Sequence, residues 1–211
     1  MKRFALLLLV GCSHSATPVD AAPVVEVKPS MSAPEEHTRM AEAPPDQGSL
    51  TSLARETAAI LAQRDMKRLA RIIHPKRGLR LSPYAHVGED DVTLRAGELA
   101  GVWKDPAPRI WGAYDGSGDP IRLTLPEYFA HFVYDVDFAT APQVADNRAI
   151  GSGNTVNNLL EAYPGAEFVE FHFPGFDPQY EGMDWRSLRL VFVSEGGRRW
   201  LVGIIHDQWT I

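Results

Sequence analysis

Apolar residues recur along this chain with two periods, and the change from one to the other predicts helices first and a sheet last. Leu50, Leu53, Thr57, Ile60 and Leu61 fall at helical spacing. Asp65 caps a second short helix bearing Leu69, Ile72 and Ile73, which His74-Pro75 ends. Gly78 then opens an extended piece around Leu79 and Leu81, and residues 96–102 form one helical turn or two. Arg109 to Tyr114 and Ile121 to Leu123 read as extended, joined by the turn-rich Asp115-Gly116-Ser117-Gly118-Asp119-Pro120. Thr124-Leu125-Pro126-Glu127 is a capping box with proline in the first turn, predicting a helix to about Tyr134. Asn154 predicts the cap of another, running through Ala162 and ended by Tyr163-Pro164-Gly165.

The last fifty residues alternate with period two. Phe168, Glu170 and His172 interleave with Val169, Phe171 and Phe173, and Leu188, Leu190 and Phe192 with Arg189, Val191 and Val193. Glu195-Gly196-Gly197 turns the chain into Trp200 to Ile205 as a hairpin. Helices, short strands, a mid-chain helix and then long strands predict an α+β domain: a curved antiparallel sheet packed against N-terminal and mid-chain helices.

Residues before Leu50 lack this patterning. Ser13 to Gly48 contains six prolines and no aromatic residue, and six acidic residues oppose only Lys28 and Arg39. Such a stretch buries too little apolar surface to offset its ordering entropy, so it is expected to be disordered. As a flexible coil its reach would be roughly 30–35 Å. The domain is therefore expected over 49–211, after a linker over 12–48.

The first residues add an address. Lys2 and Arg3 precede the apolar run Phe4 to Val10, then Gly11 and Cys12, the only cysteine in 211 residues. A run this short cannot span a bilayer, which needs about 20 apolar residues, but it suits a secretory signal. Leu9-Val10-Gly11-Cys12 resembles a bacterial lipobox. That resemblance implies a signal peptide over 1–11, cleavage before Cys12, and lipidation of Cys12 as a membrane anchor. Ser13, where an aspartate would favour the inner membrane, implies by the same analogy the outer membrane, facing the periplasm or the surface. A lone cysteine forms no internal disulfide, so the domain must be stable without one.

The two ends of the domain carry a second resemblance. The helix pair ending in His74-Pro75 with Gly78-Leu79-Arg80-Leu81-Ser82-Pro83-Tyr84, and the closing strands finishing Trp200-Leu201-Val202-Gly203-Ile204-Ile205-His206-Asp207-Gln208-Trp209-Thr210, look like the NTF2-like superfamily (SnoaL or ketosteroid-isomerase-like). The phrases at Trp111-Gly112-Ala113-Tyr114-Asp115-Gly116-Ser117-Gly118, Phe173-Pro174-Gly175-Phe176-Asp177-Pro178 and Asp207-Gln208-Trp209-Thr210-Ile211 are also similar to phrases in bacterial lipoproteins. The superfamily resemblance implies a cone-shaped fold whose mouth opens on the concave sheet face. It also implies a choice between isomerases or dehydratases and non-catalytic binding modules, often homodimeric. Fold alone does not make that choice.

Candidate chemistry comes from individual groups. Glu170 and His172, two apart on one strand, project from the same face and suit a carboxylate–imidazole acid/base pair. The same spacing also fits the solvated face of a strand. Asp184, His206 and Tyr134 complete the weak catalytic candidates, and Tyr84, Asp135 and Asp207 are further polar groups expected near a pocket. Binding candidates are Trp111, Asp115, Phe176, Asp177, Trp185 and Arg186. The loop from Phe173 to Trp185 mixes aromatics with Asp, Gln and Glu, a composition that suits a sugar or a protein partner; the alternative is that Phe173, Phe176 and Trp185 plug the core. Gly151-Ser152-Gly153-Asn154-Thr155 lacks the lysine of a phosphate loop and reads as a turn. The seven histidines form no metal motif, and neither a metal nor a cofactor is expected. Net charge is −6 with no basic block, so nucleic acid has no electrostatic footprint. The expected partners are the membrane, through the lipid on Cys12, and a small ligand or an envelope protein. The expected function is non-catalytic binding, with an enzyme of isomerase, dehydratase or hydrolase type as the alternative.

Overall fold

The computed structural model describes residues 48–210. Cys12, the signal peptide and the proline-rich linker lie outside the described residues. The helices are α1 (Leu50–Ala62), α2 (Met66–Ile72), α3 (Ala96–Lys104), α4 (Leu125–Phe132) and α5 (Leu159–Ala162). The strands are β1 (Leu79–Ser82), β2 (Val92–Leu94), β3 (Arg109–Ala113), β4 (Pro120–Leu123), β5 (Gln143–Asp146), β6 (Glu167–Phe173), β7 (Arg186–Glu195) and β8 (Arg198–Gln208).

Local chemistry sets the helix ends. The Ser49 hydroxyl accepts the Ser52 N–H at the start of α1, and Asp65 accepts the N–H groups of Lys67 and Arg68 at the start of α2. Pro75 excludes helical backbone at His74, and Ile73 already has extended backbone. His74 is buried there. Its Nδ1 accepts the N–H groups of Lys76 and Arg77, and its Nε2 lies 2.6 Å from Glu195, tying the end of α2 to the β7–β8 turn. Thr124 and Glu127 form the predicted capping box of α4. The β7–β8 hairpin closes through Gly196 and Gly197 with φ of 63° and 73°, the left-handed pair that a two-residue turn requires.

Six strands form one sheet in the order β2-β1-β8-β7-β6-β5, and β3 pairs with β4 separately. The fold is α+β, as the patterning predicts. The sheet is mixed, however, because β1 runs parallel to β8, with Ser82 beside Ile205. Hairpin neighbours must be antiparallel, but β1 and β8 are far apart in sequence and nothing in their patterns encodes direction. A register shift between Val191 and Phe192 leaves Val202 as the extra residue on β8, and such bulges bend and twist the strand that carries them.

One sheet face packs on α1, α2, α3 and α4 through residues including Val169, Phe171, Leu188, Leu190, Phe192, Leu201 and Ile204. The other is also covered. Phe168, Val191, Val193, Val202 and Ile205 pack on Leu159, Tyr163 and Val87, and residues 147–163 cross that face as a strap. The expected Asn154 helix therefore shrinks to the single turn of α5. The Asn154 amide instead donates to the Thr210 carbonyl, and Asn158 bonds both backbone groups of Val87. With both faces covered, Glu170 is fully buried and His172 nearly so, which removes the solvated-face reading of that pair.

Candidate functional site

The polar side chains of β6, β7 and β8 on the strap-covered face form one buried network. Register sets Glu170 opposite Arg189, with His172, Ser187 and Asp207 in the adjacent cross-strand row. Glu170 is saturated: one carboxylate oxygen accepts the Gly151 N–H at 2.8 Å and the Ser187 hydroxyl at 2.6 Å, the other the Ile150 N–H at 3.0 Å and Arg189 Nε at 2.8 Å. Arg189, with none of its surface exposed, also donates to the Gly151 carbonyl and to Asp207, each at 2.9 Å. Arg189 Nη1 and Asp207 Oδ1 lack partners. Burial pushes the Asp207 carboxyl up to about 6 despite Arg189.

This network is arranged for structure. Ser187 spends its only proton on Glu170, so the 2.8 Å contact with His172 requires His172 Nδ1 to donate to Ser187. A serine nucleophile needs the reverse, with the imidazole accepting the hydroxyl proton. Burial also lowers the His172 pKa, and Trp185 tilts over its ring at 5.8 Å. Gly151 seals the strap: a Cβ there would come within 2.4 Å of Ser187 Oγ and 2.7 Å of the Trp185 ring.

Open space lies at one end of the sheet, where β1, β6 and β8 finish and β7 begins. A cleft of about 650 Å³ is lined by Pro83, Tyr84, Glu89, Asp90, Asp91, Tyr114 and Asp115 among others. A second of about 410 Å³ is lined by Tyr84, Tyr114, His131, Phe132, Asp135, Phe176, Arg186 and Gln208. Tyr84 and Tyr114 thus belong to both.

In the second cleft, Arg186 Nε donates to Asp135 at 2.9 Å, while its Nη1 donates to the carbonyls of Asp184 and Trp185. His206 Nε2 stands 3.2 Å from the other Asp135 oxygen without hydrogen-bond alignment, and both ring nitrogens of this fully buried histidine lack partners. Burial acts to raise the Asp135 carboxyl, but His206 and Arg186 outweigh it and hold the group below its ordinary value. In the first cleft burial raises Asp91, partly offset by the Ser82 hydroxyl and the Gly88 N–H. Asp115 is held low by the hydroxyls of Thr155 and Thr210.

No protein-family model matches this chain, and neither a curated protein nor a solved structure matches it. The site is therefore read from its own geometry.

The sequence candidates scatter. Glu170 and His172 lie together in the buried network, and His206 sits on the opposite sheet face behind Asp135. Tyr134 donates to Asp137 and is pushed up to about 12, chiefly by burial. Asp184 accepts the N–H groups of Phe176 and Asp177, and Asp177 caps the short turn at Pro178–Tyr180. Trp111 is core: it stacks on Tyr128 at 4.6 Å and donates to the Leu123 carbonyl. Trp185 is buried, whereas Phe176 is half exposed, so the loop from Phe173 to Trp185 mixes core and surface. Asp115, Phe176 and Arg186 reach the clefts. Sequence reasoning missed Tyr114, His131, Asp91 and Gln208 as cleft residues and Arg189 and Ser187 as network members. For Arg189 a signal existed, since an arginine flanked by Leu188 and Leu190 in a strand needs an acidic partner.

Proposed function

We propose that this chain is a lipid-anchored cell-envelope lipoprotein whose NTF2-like domain binds a small ligand or a protein partner without catalysing a reaction. The observation that carries this reading is the state of the open end. Asp135, the carboxylate of the second cleft, is ion-paired and held ionised, and the carboxylate–imidazole pair Glu170 and His172 is sealed beneath the strap, so neither is free to move a proton to a ligand. The aromatic walls of the clefts, with polar side chains among them, suit recognition. The NTF2-like assignment is supported by an α+β fold with one sheet face packed on helices, although the clefts lie at one end of the sheet and not on a concave face, since both faces are covered.

The anchor rests on the lipobox resemblance at Leu9-Val10-Gly11-Cys12. Arg199 bonds the Gly48 carbonyl, so the chain enters the domain beside the β7–β8 turn. The clefts lie at the other end of β8, roughly 30 Å away at strand rise. Labelled palmitate should enter the full chain and be lost in Cys12→Ala; uptake unaffected by that change would overturn the anchor.

Asp91 favours the enzyme reading, because a carboxyl raised by burial and lining the larger cleft with Tyr84 suits proton transfer. Mass spectrometry of a bound ligand after incubation separates the two readings. Recovery unchanged supports binding, and conversion that disappears in Asp91→Asn supports an enzyme.

A further inference from the structure

The two clefts share the wall formed by Tyr84 and Tyr114, so a ligand lying across those rings reaches both. Their charged linings differ. Glu89, Asp90, Asp91 and Asp115 line the larger cleft, and no lysine or arginine does. Four carboxylates gathered along one cleft favour a cation there.

The smaller cleft offers the complement. Arg186 is fixed through Nε and Nη1, and its Nη2 takes part in none of those bonds. A guanidinium held this way keeps donors for a carboxylate at little further ordering cost. Beside it, the second Asp135 oxygen accepts no hydrogen bond and faces the buried His206 Nε2 at 3.2 Å.

The geometry points to one composite site for a bipolar ligand: a short peptide or similar molecule with a protonated amine at one end and a carboxylate at the other, its ammonium among the carboxylates and its carboxylate on Arg186. This rests on the ligand-binding reading above and adds the ligand class. Tyr84 and Tyr114 supply the apolar floor between the two charged ends.

The test uses the purified full chain, with lysyl-alanyl-alanine as probe, followed by calorimetry and by the resonances of Tyr84, Tyr114 and Arg186. Amidating the peptide carboxylate, or acetylating both its amines, should each weaken binding about tenfold, the loss of one charge-assisted contact. Glu89→Gln with Asp90→Asn, two exposed changes, should weaken the parent peptide and leave the diacetylated one unaffected. Equal affinity for the parent and both blocked peptides overturns the inference. So does a neutral sugar, chitotriose, shifting Tyr84 and Tyr114 where the peptide does not, although ligand binding then stands. If neither probe moves those resonances, the inference and the binding reading fall together.

Discussion

Replacing Arg189 with methionine tests the buried network most severely. The methionine fills the space of the aliphatic stem but removes the cation between Glu170 and Asp207. Glu170 would keep three donors, from Ser187, Ile150 and Gly151, whereas Asp207 would lose the bond to its Oδ2 while its Oδ1 already has none. Removing one partner of a buried pair costs about 3–5 kcal/mol, because the remaining charge is left desolvated. For a domain of this size that lowers Tm by roughly 10–15 °C. Urea unfolding at pH 7, followed by tryptophan fluorescence, measures it. Because the penalty falls on Asp207, the double variant Arg189→Met with Asp207→Leu should be more stable than Arg189→Met alone. A cost below about 1 kcal/mol for the single variant, or a double variant whose costs simply add, would refute this account of the network.

Other expectations follow from the same packing. Asp207 is raised to about 6 in the folded chain from 3.8, so its contribution is fully favourable below pH 4 and is lost as pH rises through 6, by about 3 kcal/mol. His172, shifted down, opposes this trend as pH approaches 6.5. The stability of Asp207→Asn relative to the parent isolates Asp207 and should rise by that amount between pH 4 and 7; a flat difference would argue against it. Gly151→Ala forces Ser187 or Trp185 aside and should destabilise by about 1–3 kcal/mol, read as a lower urea midpoint and altered Trp185 emission. His74→Ala strips two backbone N–H groups and Glu195 of their partner and should cost about 2–3 kcal/mol; a thermal midpoint unchanged from the parent would contradict that role.

Much of the fold was legible because it is local. Asp65 and Thr124 sit where their caps predict, and Gly196-Gly197 turns where a two-residue hairpin needs left-handed backbone. What was not legible depends on distant pairing. The parallel β1–β8 contact leaves no local trace, and neither β2, only Val92–Leu94, nor β5, with Gln143 and Asp146 at its ends, reads as a strand. Glu170 and His172 alternate like surface residues because their partners, Arg189 and the Gly151 N–H for Glu170 and Ser187 for His172, arrive from elsewhere in the chain. Trp111 looked available as a binding aromatic until Tyr128, from α4, stacked on it. The clefts had partial signals in Tyr84, Asp135, Asp115 and Arg186, but only the fold brings those four to one end.

The central claim is that the open end, and not the buried network, meets the ligand. Amide and side-chain resonances of the purified chain, recorded against a panel of small amines, carboxylates, zwitterionic peptides and saccharides, test it directly. The account predicts shifts concentrated at Tyr84, Tyr114, Asp135, Arg186 and Gln208, with Glu170, Ser187 and Arg189 unmoved. Shifts centred on the network, or none anywhere across the panel, would contradict it.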